Sequence, residues 1–178
     1  MSGPASGDGD PAGRDRNPAG RDRDPAGRPR NARPRDALGR PLAKSVAGEP
    51  RVPDDLLLAP EASLDSADEL IASGRPFHAH EVLEASWKSA PDAERDFWQG
   101  LAQLAVGLTH AQRGNARGAV ALLRRGAGRI EGYSPASPYR VDVAAVAVQA
   151  AQLADRIDAD GLATLPDGSL RLRLRSTT

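Results

Sequence analysis

Residues 97–111 read FWQGLAQLAVGLTHA, a run with no formally charged side chain while His110 is neutral. A helix that is apolar on every side has to be buried, so this stretch predicts the central element of the fold. Its helix opens after Ala90 with Pro91, Asp92 and Glu94, which suit the positive end of a helix dipole. It runs to Arg113 and stops at Gly114. Asn115 then reads as the N-cap of a further helix ending near Gly132. So tight a turn makes these two helices antiparallel neighbours.

Outward from this pair the pattern stays helical. Residues 60–73 place Leu64, Ala67, Leu70 and Ile71 on one face, with Gly74 just past the end. Pro76 opens a second helix that reaches Ser89. Downstream, the loop at 133–138 precedes a fifth helix, capped by Ser137, opened by Pro138 and running through Val141, Ala144, Ala145, Val148, Ala151 and Gln152 to Ile157. The expected fold is all-α, a compact bundle of about five helices over residues 54–160. In 161–178, Leu170, Leu172 and Leu174 alternate with Arg171, Arg173 and Arg175 after a Pro166-Asp-Gly168 turn. That period-two signal predicts a short β-hairpin, which must dock on the bundle or fray. All six aromatics and all three histidines lie between residues 77 and 139, which marks the expected core.

Residues 1–53 differ in kind. PAGRDRN (11–17), PAGRDRD (18–24) and PAGRPRN (25–31) repeat with a period of seven, yet every unit carries Pro and Gly and none a large apolar residue. A coiled coil is excluded. So little burial cannot offset a backbone entropy of ~1–2 kcal/mol per residue, and a disordered Arg/Pro/Gly-rich arm is expected. Leu38, Leu42 and Val46 are the first apolar side chains after it. They leave two readings for 33–42: an extended stretch lying against the domain, or a plain linker.

Composition narrows the function classes. Lys+Arg 24 balance Asp+Glu 24, which argues against nucleic-acid binding over the whole surface. Within 1–53, eleven basic residues against seven acidic ones leave +4. The interleaved Asp15, Asp22 and Asp24, and the lack of aromatics to stack on bases, make this arm a solvating tail rather than a nucleic-acid contact. Cysteine is absent, so metal ligands would have to be His, Asp or Glu. No apolar run suits a signal peptide or a membrane span. A cytoplasmic protein is expected, and the wealth of Ala, Arg, Gly, Pro and Asp points to a GC-rich bacterial coding sequence. Arg124, Arg125 and Arg129 read as an exposed face of the fourth helix.

One place carries chemistry. At ~100° per residue, His80 and Glu84 fall together on the second helix, with Phe77 and Trp87 on the same side. That aromatic side is the one expected to point inward. Glu81 sits at its border, and His78 points the opposite way, towards solvent. On the third helix Gln99, Gln103 and His110 form a second polar stripe around Val106. Gly100 and Gly107 permit a close neighbour there. A buried unpaired polar group costs ~1–3 kcal/mol, so the two stripes are predicted to meet, with His80, Glu84, Gln103 and His110 converging.

The stretches FHAHEVLEASW (77–87), WQGLAQLA (98–105) and HAQRGNARGA (110–119) resemble the bacterial and plastid family called domain of unknown function 309. The resemblance covers about residues 64–132. It rests on a His-Glu-x-x-Glu-x-x-Trp motif, a downstream Gln-Gly-Leu and a Gly-Asn turn. It implies a small helical bundle and singles out His80, Glu81, Glu84, Trp87, Gln99, Gln103 and Asn115. It implies no reaction.

Three readings of the site follow. In the first, His80, Glu84, His110 and the glutamines form a buried hydrogen-bond network in a scaffold or interaction protein. In the second, His80, Glu84 and His110 hold a divalent metal with an open position, as a metal-binding protein or metal-assisted hydrolase would. The motif is not the zincin His-Glu-x-x-His, and it lacks the carboxylate set of a di-iron bundle. In the third, Glu84 beside His80 acts as a general base, although Ser86 has no partner pattern that would make it a nucleophile. No cofactor is evident from the residues.

Overall fold

Glycines with left-handed backbone punctuate the helices of this protein, Gly74 at φ +76° and Gly114 at φ +78°. In this computed structural model residues 34–43, 45–48, 58–166 and 168–175 are described. The repeat arm, residues 1–33, lies outside the described residues, as do residues 49–57. Five α-helices follow: α1 (Pro60–Ala72), α2 (Pro76–Ser89), α3 (Arg95–Gln112), α4 (Ala116–Glu131) and α5 (Val143–Asp160). Short 3-10 turns occupy Asp92–Glu94, Pro138–Arg140 and Leu162–Thr164. The all-helical expectation holds for the described residues.

The α1–α2 and α3–α4 turns are the same turn, forty positions apart. In the first, Ser73 N–H donates to Glu69 O, Gly74 to Ile71 and Arg75 to Leu70, at 2.9, 3.0 and 2.8 Å. In the second, Arg113 donates to Thr109, Gly114 to Ala111 and Asn115 to His110, at 3.1, 2.9 and 2.9 Å. The core repeats too: Leu64 and Leu104, Ala79 and Ala119, and Leu83 and Leu123 are all fully buried. Extensive contacts join each helix to its neighbour in sequence, α1 to α2 through α4 to α5. The result is two stacked helical hairpins closed by α5, as in a short solenoid.

As expected, α3 is the most buried element, with Phe97, Leu101, Leu104, Ala105 and Leu108 fully enclosed. It lies close on α4. A Cβ on Gly100 would meet Ile130 Cγ2 at 2.5 Å, and one on Gly126 would meet Leu104 Cδ2 at 2.7 Å. Side chains there would push the helices apart.

The structure corrects two sequence readings and decides a third. Ser137 does not cap α5. Its backbone is left-handed (φ 40°, ψ 60°), and its hydroxyl donates back to Ser134 O at 3.1 Å. Asp142 caps instead, with Oδ1 accepting from Ala145 N–H at 3.0 Å. Among the described residues no hairpin forms after α5. Residues 170–175 run as a single strap with one isolated bridge, Arg175 to Val141. Burying Leu172 and Leu174 on the bundle satisfies the alternation without a second strand. Residues 34–42 are neither an extended stretch nor a plain linker. They fold into a tight turn around Asp36, whose carboxylate accepts from Leu38 N–H and Arg40 N–H at 3.0 and 2.7 Å. This turn docks where Arg113 donates to Leu38 O at 2.8 and 2.5 Å. The guanidinium groups of Arg35 and Arg113 lie 5.5 and 5.8 Å from the Phe77 ring centre. No described helix is long and apolar enough to cross a membrane.

Candidate functional site

Ala79, Val82 and Leu83 form the inward stripe of α2, because an aliphatic stripe enters the interior without stranding polar groups. The stripe of Phe77, His80, Glu84 and Trp87 is therefore displaced to the rim, where all four are half-buried. This corrects the expectation that the aromatic side faces inward. It also explains His78, expected in solvent but only 2% exposed. The inward face falls between the two histidine sides, and His78 packs edge-on against Phe77, with ring centres 5.5 Å apart.

At this rim the second stripe does arrive. His80, Glu84 and Trp87 of α2 and Gln99, Ala102, Gln103 and Val106 of α3 line a half-open pocket of about 120 Å³. His80 Nε2 lies 3.5 Å from Glu84 Oε2, and Lys88 Nζ lies 3.1 Å from Glu84 Oε1. Burial pushes His80 below the ordinary histidine value; Glu84 pulls the other way, and Lys88 adds to the lowering. His80 is therefore neutral at pH 7. Gln103 Oε1 is shielded from solvent and accepts no hydrogen bond from the described residues. Glu81 is half-buried and does not line the pocket.

His110 is not part of this pocket. Its Nδ1 lies 2.7 Å from Asn115 Nδ2, and Asn115 Oδ1 accepts from Gly118 N–H at 2.9 Å. A Cβ on Gly118 would sit 2.4 Å from His110 Nδ1. His110, Asn115 and Gly118 are thus one polar plug for the α3–α4 turn. The wheel angle puts His110 on the pocket side of α3, but its ring is taken up by Asn115 at the α3–α4 turn rather than by His80. Among the described residues no group of three or more His, Asp or Glu side chains could hold a metal ion.

Two other polar arrangements escaped the sequence reading. Glu94 Oε2 accepts from Trp98 Nε1–H at 3.2 Å and from the Tyr139 hydroxyl at 2.5 Å. Burial and that hydrogen bond push Tyr139 up to about 12. The spacing of Glu94 and Trp98, one turn apart, was the available signal. A larger hollow of about 460 Å³ runs between α4 and α5 beside Val120 and Arg124. There Arg124 is paired across the helices with Asp155 and Asp158, at 2.8 and 3.0 Å.

The chain is 42% identical over 65 residues to an uncharacterized protein, YpuF, of Bacillus subtilis (strain 168), a stretch covering 36% of this chain and 37% of that one. It thus spans little more than a third of that relative. No solved structure matches. Residues 64–122, from the middle of α1 into α4 and across the whole pocket, match the family described as domain of unknown function (DUF309), the family that the motif resembles.

Proposed function

We propose that the protein is a helical scaffold or interaction module whose α2–α3 pocket accepts a cationic, hydrogen-bond-donating side chain from a partner protein. The observation that carries this reading is Gln103 Oε1, buried and unpaired in a pocket that also holds the Glu84 carboxylate and Trp87. An acceptor left in that state costs ~1–3 kcal/mol, which a leucine would avoid. A guanidinium or ammonium group entering the pocket meets a carboxylate and an indole, and a rotation of the Gln103 side chain turns that acceptor towards the same guest. His80 does not repel it, since burial keeps the imidazole neutral. Lys88, two-thirds exposed, is the cation that a guest would displace from Glu84.

The metal-binding alternative needs His80, Glu84 and His110 together. Only the first two share the pocket, and His110 Nδ1 is engaged by Asn115. Stoichiometric Zn, Mn or Fe in the purified protein, or a rise in Tm on adding one of them, would revive it.

The direct test is NMR on the isotope-labelled full chain. N-acetyl-arginine amide should shift the side-chain amides of Gln99 and Gln103 and the indole of Trp87. Its uncharged counterpart, N-acetyl-citrulline amide, should shift them much less. Gln103→Leu should weaken the arginine response. Silence up to about 50 mM, a binding free energy weaker than about 2 kcal/mol, would refute the pocket as a recognition site.

A further inference from the structure

Residues 170–175 are held in the manner of a bound peptide. Leu172 and Leu174 are 3% and 1% exposed, while Arg173 between them and Arg171 before them are exposed. Among the described residues the strap makes a single β-bridge, Arg175 to Val141. Its backbone is held instead by side chains. Asp68 of α1 accepts from Leu174 N–H through one carboxylate oxygen and from Arg175 N–H through the other, at 2.7 and 3.2 Å. Gln149 of α5 accepts from Arg173 N–H at 3.3 Å. The Arg175 guanidinium pairs with Asp65, one turn before Asp68 on α1.

Main-chain groups captured by fixed acceptors, alternate side chains in apolar sockets and one basic anchor are how proteins take up extended peptides. The helices on either side, α1 and α5, share no extensive direct contact, so the strap fills the space between them. We infer that this groove between α1 and α5 is a docking site for an extended partner segment of the pattern Leu-x-Leu-Arg, with the chain's own residues 172–175 as its resident occupant. Most of what the groove reads is backbone, so any segment with two alternate leucines and a following arginine meets the same contacts. The resident strap competes with such a segment, and partner affinity falls by the fraction of molecules in which the strap is seated.

The test uses the full chain and a fluorescein-labelled peptide of residues 169–178. Wild type should bind it weakly. Leu174→Asp dislodges the strap and should raise affinity about tenfold or more. Arg175→Glu, which sets like charges against Asp65 without touching the leucine sockets, should raise it less and keep the fold if Leu174→Asp does not. Adding Asp68→Ala to either variant should abolish the gain. A peptide carrying Leu172→Ser and Leu174→Ser should not bind any of them. The inference is overturned if Arg175→Glu folds normally and still binds no more peptide than wild type. It is equally overturned if light scattering shows concentration-dependent dimers lost on Asp68→Ala, because the natural occupant would then be the strap of a second copy.

Discussion

The α2–α3 and α4–α5 grooves stand at equivalent places in the stack but are finished differently. Forty positions on from His80, Glu84 and Trp87 stand Val120, Arg124 and Ala127. In the later groove Arg124 reaches across to Asp155 and Asp158, so the polar groups tie two helices together. In the earlier one the charges stay on one helix, as His80–Glu84–Lys88, and Gln103 of the facing helix is left over. A groove whose polar groups are spent on each other is structural. The one that keeps an unpaired acceptor is where the proposed guest would supply the missing donor.

If the two hairpins are one unit in energetic terms, their equivalent core leucines should cost the same. Leu83→Ala and Leu123→Ala each leave a cavity at a fully buried site and should each cost ~2–5 kcal/mol. Urea titrations should show one transition with an unchanged m-value for both. A second transition in either variant would show that the hairpins melt separately and would end the comparison.

The turns offer a sharper contrast. Asn115 caps α4 through its side chain, whereas Arg75, at the same place before α2, makes no side-chain cap. Asn115→Ala should therefore cost ~1–2 kcal/mol. His110→Ala should cost less, and the double variant little more than Asn115→Ala alone, since His110 acts on the turn through Asn115. Additive costs would give His110 a role of its own.

What the sequence made legible follows from these contacts. Local signals sufficed wherever one residue decides an outcome: Gly74 and Gly114 end helices, Asn115 starts one, and the uncharged 97–111 run could only be central. Polarity on the wheel found His80, Glu84, Gln99 and Gln103, which do share a pocket. It failed for His110, because an angle carries no height along the axis and takes no account of a competing partner: the Asn115 cap of the next helix engages His110. It failed for His78 because the aromatic stripe was preferred over the aliphatic one as the inward face. The strap was misread because alternation demands one buried side and does not demand a partner strand. The partners of Asp68 lie more than a hundred residues away, where no local pattern reaches.

Gln103→Leu tests the unspent acceptor itself. Removing a buried, unpaired oxygen while keeping the side-chain bulk should leave stability unchanged or raise it by up to ~1 kcal/mol, as thermal melts would register. Arg124→Ala in the later groove should instead lower stability slightly, and less so at high salt. A clear loss in Gln103→Leu would mean that the amide has a partner the pocket reading omits.

The smallest effect is a slope in pH, and its sign is fixed by His80. Its folded value lies below the ordinary histidine value of about 6.5, so near and just below that pH the unfolded chain binds the proton first. The stability gained from keeping His80 neutral is present above pH 6.5 and is lost as pH falls through the depressed folded value. Glu84 and Lys88 are the charges beside it on α2, and from α3 the pocket receives only the uncharged Gln99 and Gln103. One proton limits the slope to about 1.4 kcal/mol per pH unit. Chemical denaturation of wild type and His80→Gln between pH 7.5 and 5 should show the wild type losing more stability on acidification. Parallel curves would mean that His80 is as well solvated in the fold as out of it, and the pocket would lose the neutral imidazole that lets a cation enter.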